Sequence, residues 1–200
     1  MAKKRNSRDI IARGIMRPLT REQSAAITTY LVNRGFWRDH ALYRTGIDSM
    51  LRASDLVRIR IDEILGPDGR IVDMAEIQMK KTGKMVGFAI TSRTKEALEK
   101  WLEVREHQSE WLFYGRPWWN PMTDVRYRQI AKGWFRAIGL PIKHYSTHSI
   151  RRTKATIMYD ETNNLKAVSE MLGHANTRMT ERYIGMTRRK ALELAAKIDV

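Results

Sequence analysis

The sequence predicts a mainly helical domain carrying one small antiparallel β-sheet, an α+β arrangement. Apolar residues recur three and four apart through most of the 200 residues, the spacing of helices with one buried face. That period is interrupted once, where the turn signals Pro67-Asp68-Gly69 and Lys81-Thr82-Gly83-Lys84 bracket strand-like runs. A hydrophobic share of 42% supplies a core, and this length suits a single domain with a tail at each end.

Taken in order, residues 1–19 are polar and basic with weak periodicity. Lys3, Lys4 and Arg5 make them a candidate arm along phosphates, or a tail with no specific role. Thr20 then caps a helix, with Gln23 in capping-box position and Ile27, Tyr30 and Leu31 on one face. A second helix is expected from about Asp39 to Thr45 or beyond, and a third from Arg52 to Ile59. The strand run containing Met74, Ile77 and Met79 turns through Lys81-Thr82-Gly83-Lys84 into a partner from Met85 to Ile90. Ser92 or Thr94 caps the helix of Ala97, Leu98, Trp101 and Leu102. The stretch around Tyr114-Gly115-Arg116-Pro117-Trp118-Trp119 reads as a loop, over which the tryptophans pack or from which they stack on bases, packing being the reading preferred.

A basic helix follows from about Asp124 to Ile138. Its Arg126, Arg128, Lys132 and Arg136 either meet phosphates or form a solvated face. The last third is expected as helices from Ile150 to Tyr159, Leu165 to Leu172, Arg178 to Ile184 and Arg189 to Ile198, with Gly173 as a C-terminal cap. Leu165, Val168, Met171 and Leu172 are expected core.

Charge limits the partners. A formal net charge of +15 favours polyanions, nucleic acid first and an anionic membrane surface second. No apolar run reaches the length of a membrane span and no signal-peptide pattern opens the chain, so a cytoplasmic protein without a membrane partner is expected. The absence of cysteine excludes disulfides and thiolate metal ligands. His144 and His148 stand four apart, as zinc pairs do, but no third ligand is near and Pro141 opposes helix at His144. No metal is expected.

The chemistry-bearing residues gather toward the C-terminus. His148-Ser149-Ile150-Arg151 is followed by Leu172-Gly173-His174 and, nine residues beyond His174, by Tyr183. Upstream lie Arg52 with Asp55 three residues on, and Lys80-Lys81-Thr82-Gly83-Lys84 in a hairpin turn. HxxR alone is a weak signal, and Tyr183 is one of seven tyrosines. The ordered set resembles the active-site motifs of the tyrosine recombinase (phage integrase) family, in its catalytic domain. That resemblance implies residues 20–186 as the catalytic domain and 187–200 as a C-terminal helix that docks on a neighbouring protomer or folds back.

By the resemblance, Tyr183 forms a reversible 3′-phosphotyrosyl link to double-stranded DNA, with no cofactor. Arg52 and Arg151 clamp the phosphate with planar, permanently charged forks. A phenol titrates near ~10, so it needs a base, and His148 fits that role. Lys81 is the candidate general acid for the leaving 5′-oxygen, His174 a hydrogen-bond donor to phosphate, and Asp55 an orienting group. Arg152, with Arg126, Arg128 and Lys132, is a further candidate DNA contact. The implied partners are a homo-oligomer on DNA, a tetramer in the synaptic complex, and an accessory DNA-bending or directionality protein.

Two departures from the family pattern stand out. Too few residues precede Thr20 for the N-terminal clamp domain of most members, so the expectation is a short form resembling the fimbrial phase-switch invertases, or a fragment. Met50 occupies a position where the family often has a small residue. The expected activity is site-specific recombination: integration, excision or inversion. The alternatives are a type IB topoisomerase-like enzyme, or a DNA-binding regulator on a recombinase scaffold.

Overall fold

The computed structural model describes residues 16–174, 176–184 and 196. The expected arm with Lys3, Lys4 and Arg5, and the helix from Arg189 onward, lie outside the described residues apart from the end of the arm and Ala196. The expected mainly helical fold with one small sheet is present. Its elements run α1 (Arg21–Asn33), α2 (Trp37–Ser49), α3 (Ala53–Leu56), β1 (Met74–Gln78), β2 (Met85–Ala89), α4 (Ser92–Val104), α5 (Asp124–Ala137), α6 (Thr147–Thr162), α7 (Leu165–Met171) and α8 (Thr177–Ile184).

The domain's packing begins before α1, inside the stretch expected as an arm. Arg17 N donates to His144 O, Leu19 N donates to Thr153 Oγ1, and Leu19 is buried. At α1 the capping box forms as expected, Thr20 accepting from Gln23 N while Gln23 Oε1 accepts from Thr20 N. Ile27 and Leu31 enter the core.

Helix α2 is the axle. Nearly every residue from Ala41 to Ser49 is buried. A Cβ at Gly46 would stand 3.0–3.2 Å from Tyr127 Oη, Leu56 Cδ2 and Ile150 Cγ2, so α3, α5 and α6 all close on this one glycine. Two residues on, Asp48 is 2% exposed. It accepts from Thr91 N at 2.9 Å, Thr91 Oγ1 at 2.7 Å and Lys154 Nζ at 2.9 Å, tying α2 to α4 and α6. Burial alone would raise this carboxyl's pKa, but its hydrogen bonds and the Lys154 charge outweigh burial and hold it below the ordinary value.

Three boundaries differ from the sequence reading. The helix expected from Arg52 to Ile59 is a single turn, because the backbone beyond it pairs elsewhere: Leu112 N donates to Ile59 O and Ile61 N to Glu110 O. The cap of α4 is Thr91, not Ser92 or Thr94, and its hydroxyl is committed to Asp48. Helix α6 starts at Thr147, ahead of the expected Ile150, because Ser146 accepts from His148 N and Ser149 Oγ accepts from Ser146 N. His144 precedes that helix.

The sheet is the expected hairpin, with Met74 opposite Ala89 and Gln78 opposite Met85. Ala75, Ile77 and Met79 face inward with Val86, Phe88 and Ile90. Gly83 closes the turn at φ +65°, a left-handed conformation that glycine adopts without a Cβ clash. The tryptophan pair is less covered than expected. Trp118 stacks on His107 but is 40% exposed, and Trp119 is 61% exposed. A second, smaller core of Met50, Ala155, Tyr159, Val168, Leu172 and Ile184 joins α6, α7 and α8, with Leu165 and Met171 packed on its edge.

Because Asp48 is the shared acceptor of three elements, Asp48→Ala should lower unfolding free energy by about 3–5 kcal/mol, the cost of stranding one partner of a buried ion pair. Urea denaturation measures this. A loss below about 1 kcal/mol would mean that the network does not hold α2 to α4 and α6.

Candidate active site

Helix α7 ends in a local geometry that explains the Leu172-Gly173-His174 run. Gly173 N donates to Glu170 O at 2.8 Å and His174 N donates to Ser169 O at 3.0 Å, the paired bonds of a Schellman cap. Gly173 sits at φ +60°. A Cβ there would also lie 2.5 Å from Met79 Cε and 2.9 Å from Val86 Cγ2, so glycine is required both by the turn and by the hairpin packed on it. Leu172 fills the small core, and its carbonyl accepts from Arg151 Nη2 at 2.8 Å. Arg151 is only 3% exposed, and the negative end of a helix suits its charge.

Arg52 reaches the same place from the other side. Met50 ends α2 in the left-handed conformation, φ 49°, which turns the chain toward Arg52, the N-cap of α3. That conformation costs a non-glycine residue roughly 1–2 kcal/mol. Met50 is fully buried, and its packing in the small core offsets the cost. Arg52 Nη1 donates to Met79 Sδ at 3.2 Å. One turn along α3, Asp55 Oδ1 accepts from Lys80 N at 3.1 Å, while Oδ2 is buried without a hydrogen bond. Met79 and Lys80 are thus pinned beside the arginine pair. Lys81, the next residue, is exposed at the hairpin tip.

Tyr183 lies against this cluster. Its ring centroid is 5.8 Å from Arg151 Cζ and 5.0 Å from Arg152 Cζ, and the His174 ring stands edge-on at 5.4 Å. The Tyr183 hydroxyl is buried and has no hydrogen bond of good geometry among the described residues. Burial raises its pKa, and the charges of Arg151, Arg152 and Arg52 pull in the opposite direction.

The histidines are held neutral. The His174 pKa is pushed down to about 4, first by burial and then by Arg151 and Arg52. Its Nδ1 lies 2.9 Å from Thr180 Oγ1. His148 keeps an edge in solvent, but burial of its inner side lowers its pKa, reinforced by Arg151, Arg128, Arg152 and Arg52. No direct hydrogen bond links His148 to Tyr183, and both border the same guanidinium groups.

The structure therefore brings together Arg52, His148, Arg151, His174 and Tyr183, with Asp55 one layer behind and Lys81 outside. Arg152, expected as a further DNA contact, is 6% exposed and lies over the Tyr183 ring. Arg126, Arg128 and Lys132 are exposed on α5, with Arg128 paired to Asp124 at 2.7 Å. Met79 and Thr180 were not singled out by the sequence. A methionine in a strand and a threonine in a helix carry no local signal of contact with an arginine or an imidazole. Among the described residues no group of three metal-ligating side chains occurs. A cluster this rich in guanidinium, with Asp55 its one carboxylate, suits a phosphate group.

The fold is similar to solved recombinase structures. A XerA recombinase superposes with a TM-score of 0.75 at 14% identity, covering 92% of this chain and 65% of that one. A XerH site-specific recombinase bound to its difH substrate gives 0.73 at 19% identity, covering 95% and 56%. In sequence, the chain is 27% identical over 165 residues to a probable integrase/recombinase, YoeC, of Bacillus subtilis (strain 168), covering 82% of this chain and 86% of that protein. It is 29% identical over 153 residues to the tyrosine recombinase XerC of Vibrio atlanticus (strain LGP32), covering 73% and 46%. The chain thus spans most of YoeC but about half the length of the XerC relatives it matches. Residues 17–189 match the model of the phage integrase family. The chain belongs to the phage integrase family.

Proposed function

We propose that this chain is a site-specific tyrosine recombinase that breaks and rejoins duplex DNA through a 3′-phosphotyrosyl link at Tyr183. The observation that carries this reading is the buried Tyr183 side chain, set against the Arg151 and Arg152 guanidinium groups in a cluster completed by Arg52, His148 and His174. In the proposed step Tyr183 Oη attacks the scissile phosphorus as the bond from phosphorus to the 5′-oxygen breaks. His148 accepts the phenol proton, and Lys81 delivers one to the departing 5′-oxygen. Lys81 reaches the phosphate by movement of a hairpin tip whose base is held by Met79 and Lys80. Arg52 and Arg151 leave Met79 Sδ and the Leu172 carbonyl for phosphate oxygens, whose charge grows in the transition state. Reversal by an incoming 5′-hydroxyl rejoins the strand without a cofactor, because one phosphoester replaces another.

The same proposal gives the chain duplex DNA as its partner, with Arg126, Arg128 and Lys132 on phosphates and residues 1–15 as an arm. It assembles as a homo-oligomer on DNA, a tetramer at synapsis, aided by an accessory bending or directionality protein, and is cytoplasmic and nucleoid-associated when bound. The described residues contain no helix long and apolar enough to cross a membrane.

A nicked suicide substrate carrying the cognate site should yield a covalent protein–DNA band, absent with Tyr183→Phe. Absence of the band from the unaltered protein would favour a binding-only role, and relaxation of plasmids of arbitrary sequence a topoisomerase. Arg151→Ala should lose about 10²–10³-fold in cleavage rate while retaining most DNA affinity in gel shifts. Cleavage also has an expected pH response. A general base must be unprotonated, and the His148 pKa lies below the ordinary 6.5. The acid limb of the second-order cleavage rate, measured below saturation so that it reports the DNA-free protein, should therefore fall below pH 6.5; a limb at or above that value would contradict His148 as the base.

A further inference from the structure

We infer that Thr180 is a positioning residue: its hydroxyl donates to His174 Nδ1 and so leaves the proton on Nε2, aimed at the phosphate site. The inference rests on the recombinase reading for its consequence, but the contact itself does not depend on that reading.

Helical threonines have a ready local acceptor, the carbonyl four residues back. In this chain Thr28, Thr45, Thr153 and Thr162 all use it, donating to Ser24, Ala41, Ser149 and Met158. Thr180 instead places Oγ1 2.9 Å from the His174 ring nitrogen, although it too lies in a helix. It is fully buried, so water does not compete for the bond. The surrounding turns hold both partners. His174 N is fixed by Ser169 O in the Schellman cap, and Asn176 Oδ1 accepts from Met179 N at the start of α8.

Which nitrogen carries the proton follows from charge. With its pKa near 4, His174 is neutral at physiological pH and has a single N–H. If that proton sat on Nδ1, it would be spent on Thr180, and the Nε2 lone pair would face an anionic phosphate surrounded by Arg151 and Arg52. With the Thr180 proton on Nδ1 as acceptor, Nε2–H becomes a donor to phosphate. Thr180 Oγ1 is fully buried and has no other hydrogen-bond acceptor among the described residues, so its own proton goes to Nδ1 and leaves Nε2 as the N–H even before phosphate binds.

The test compares Thr180→Val, nearly the same shape without the hydroxyl, with Thr180→Ser, which retains it. Two readouts are needed: the suicide-substrate cleavage rate, and the His174 tautomer by ¹⁵N NMR of the DNA-free full chain. The unaltered protein should show Nε2-protonated His174. Thr180→Val should mix the tautomers and slow cleavage about 10–100-fold, with thermal melting and DNA affinity little changed. Thr180→Ser should restore the tautomer and cleavage within a few-fold of the unaltered rate. The inference is overturned if His174 is Nδ1-protonated in the unaltered protein, if Thr180→Val keeps the tautomer, or if Thr180→Ser is as impaired as Thr180→Val. If the unaltered protein makes no covalent band, the recombinase reading fails while the NMR arm still decides the role of Thr180.

Discussion

A guanidinium removed from water needs an acceptor that the fold cannot move, and Arg151 has one in the Leu172 carbonyl. Much of the site is arranged around that contact. The carbonyl is free because α7 ends there, and α7 ends there because Gly173 turns left-handed and closes the Schellman bonds. The missing side chain at Gly173 admits Met79, so the hairpin packs directly on the helix end. Met79 in turn receives Arg52, and Lys80 N is held by Asp55. The two arginines, the second histidine and the hairpin are therefore one packed unit, in which a shift of any member is felt by the others.

Concentrating guanidinium groups here has electrostatic consequences. Arg52, Arg151 and Arg152 repel one another, and their desolvation is expensive until an anion arrives. In the absence of an anion Arg52 and Arg151 rest on neutral acceptors, a thioether and a carbonyl. Burial first, and then the same positive field, opposes protonation of His148 and His174 and lowers the pKa of both. Tyr183 feels opposing influences: burial favours the phenol, and the arginines favour the phenolate. A bound phosphate would draw off part of that stabilising positive charge, which makes a proton acceptor necessary for attack.

Much of this was legible in the chain. Capping at Thr20, the cap glycine at Gly173 and the hairpin around Gly83 are local effects, set by residues a few positions apart, and the structure has them where expected. The Arg52, His148, Arg151, His174 and Tyr183 set was readable because its order and spacing are shared by a family, and the fold gathers these residues. What failed was decided at long range. The third helix is one turn because Ile59 and Ile61 pair with Leu112 and Glu110, some fifty residues away. Thr91 took the α4 cap because its hydroxyl had a partner in Asp48. That Arg152 is buried over the Tyr183 ring was likewise not readable from its neighbours in sequence.

By itself the sequence determined the helical period, the turns, the positive charge and the identity of the groups able to handle a phosphate, because each depends on residue type and short spacing. Only the tertiary structure decided which charges are desolvated, which acceptors the arginines rest on, and that Thr180 rather than water meets His174 Nδ1. Those properties depend on what surrounds a side chain in space. Met79, more than ninety residues before Gly173, touches the atom position that a Cβ there would occupy.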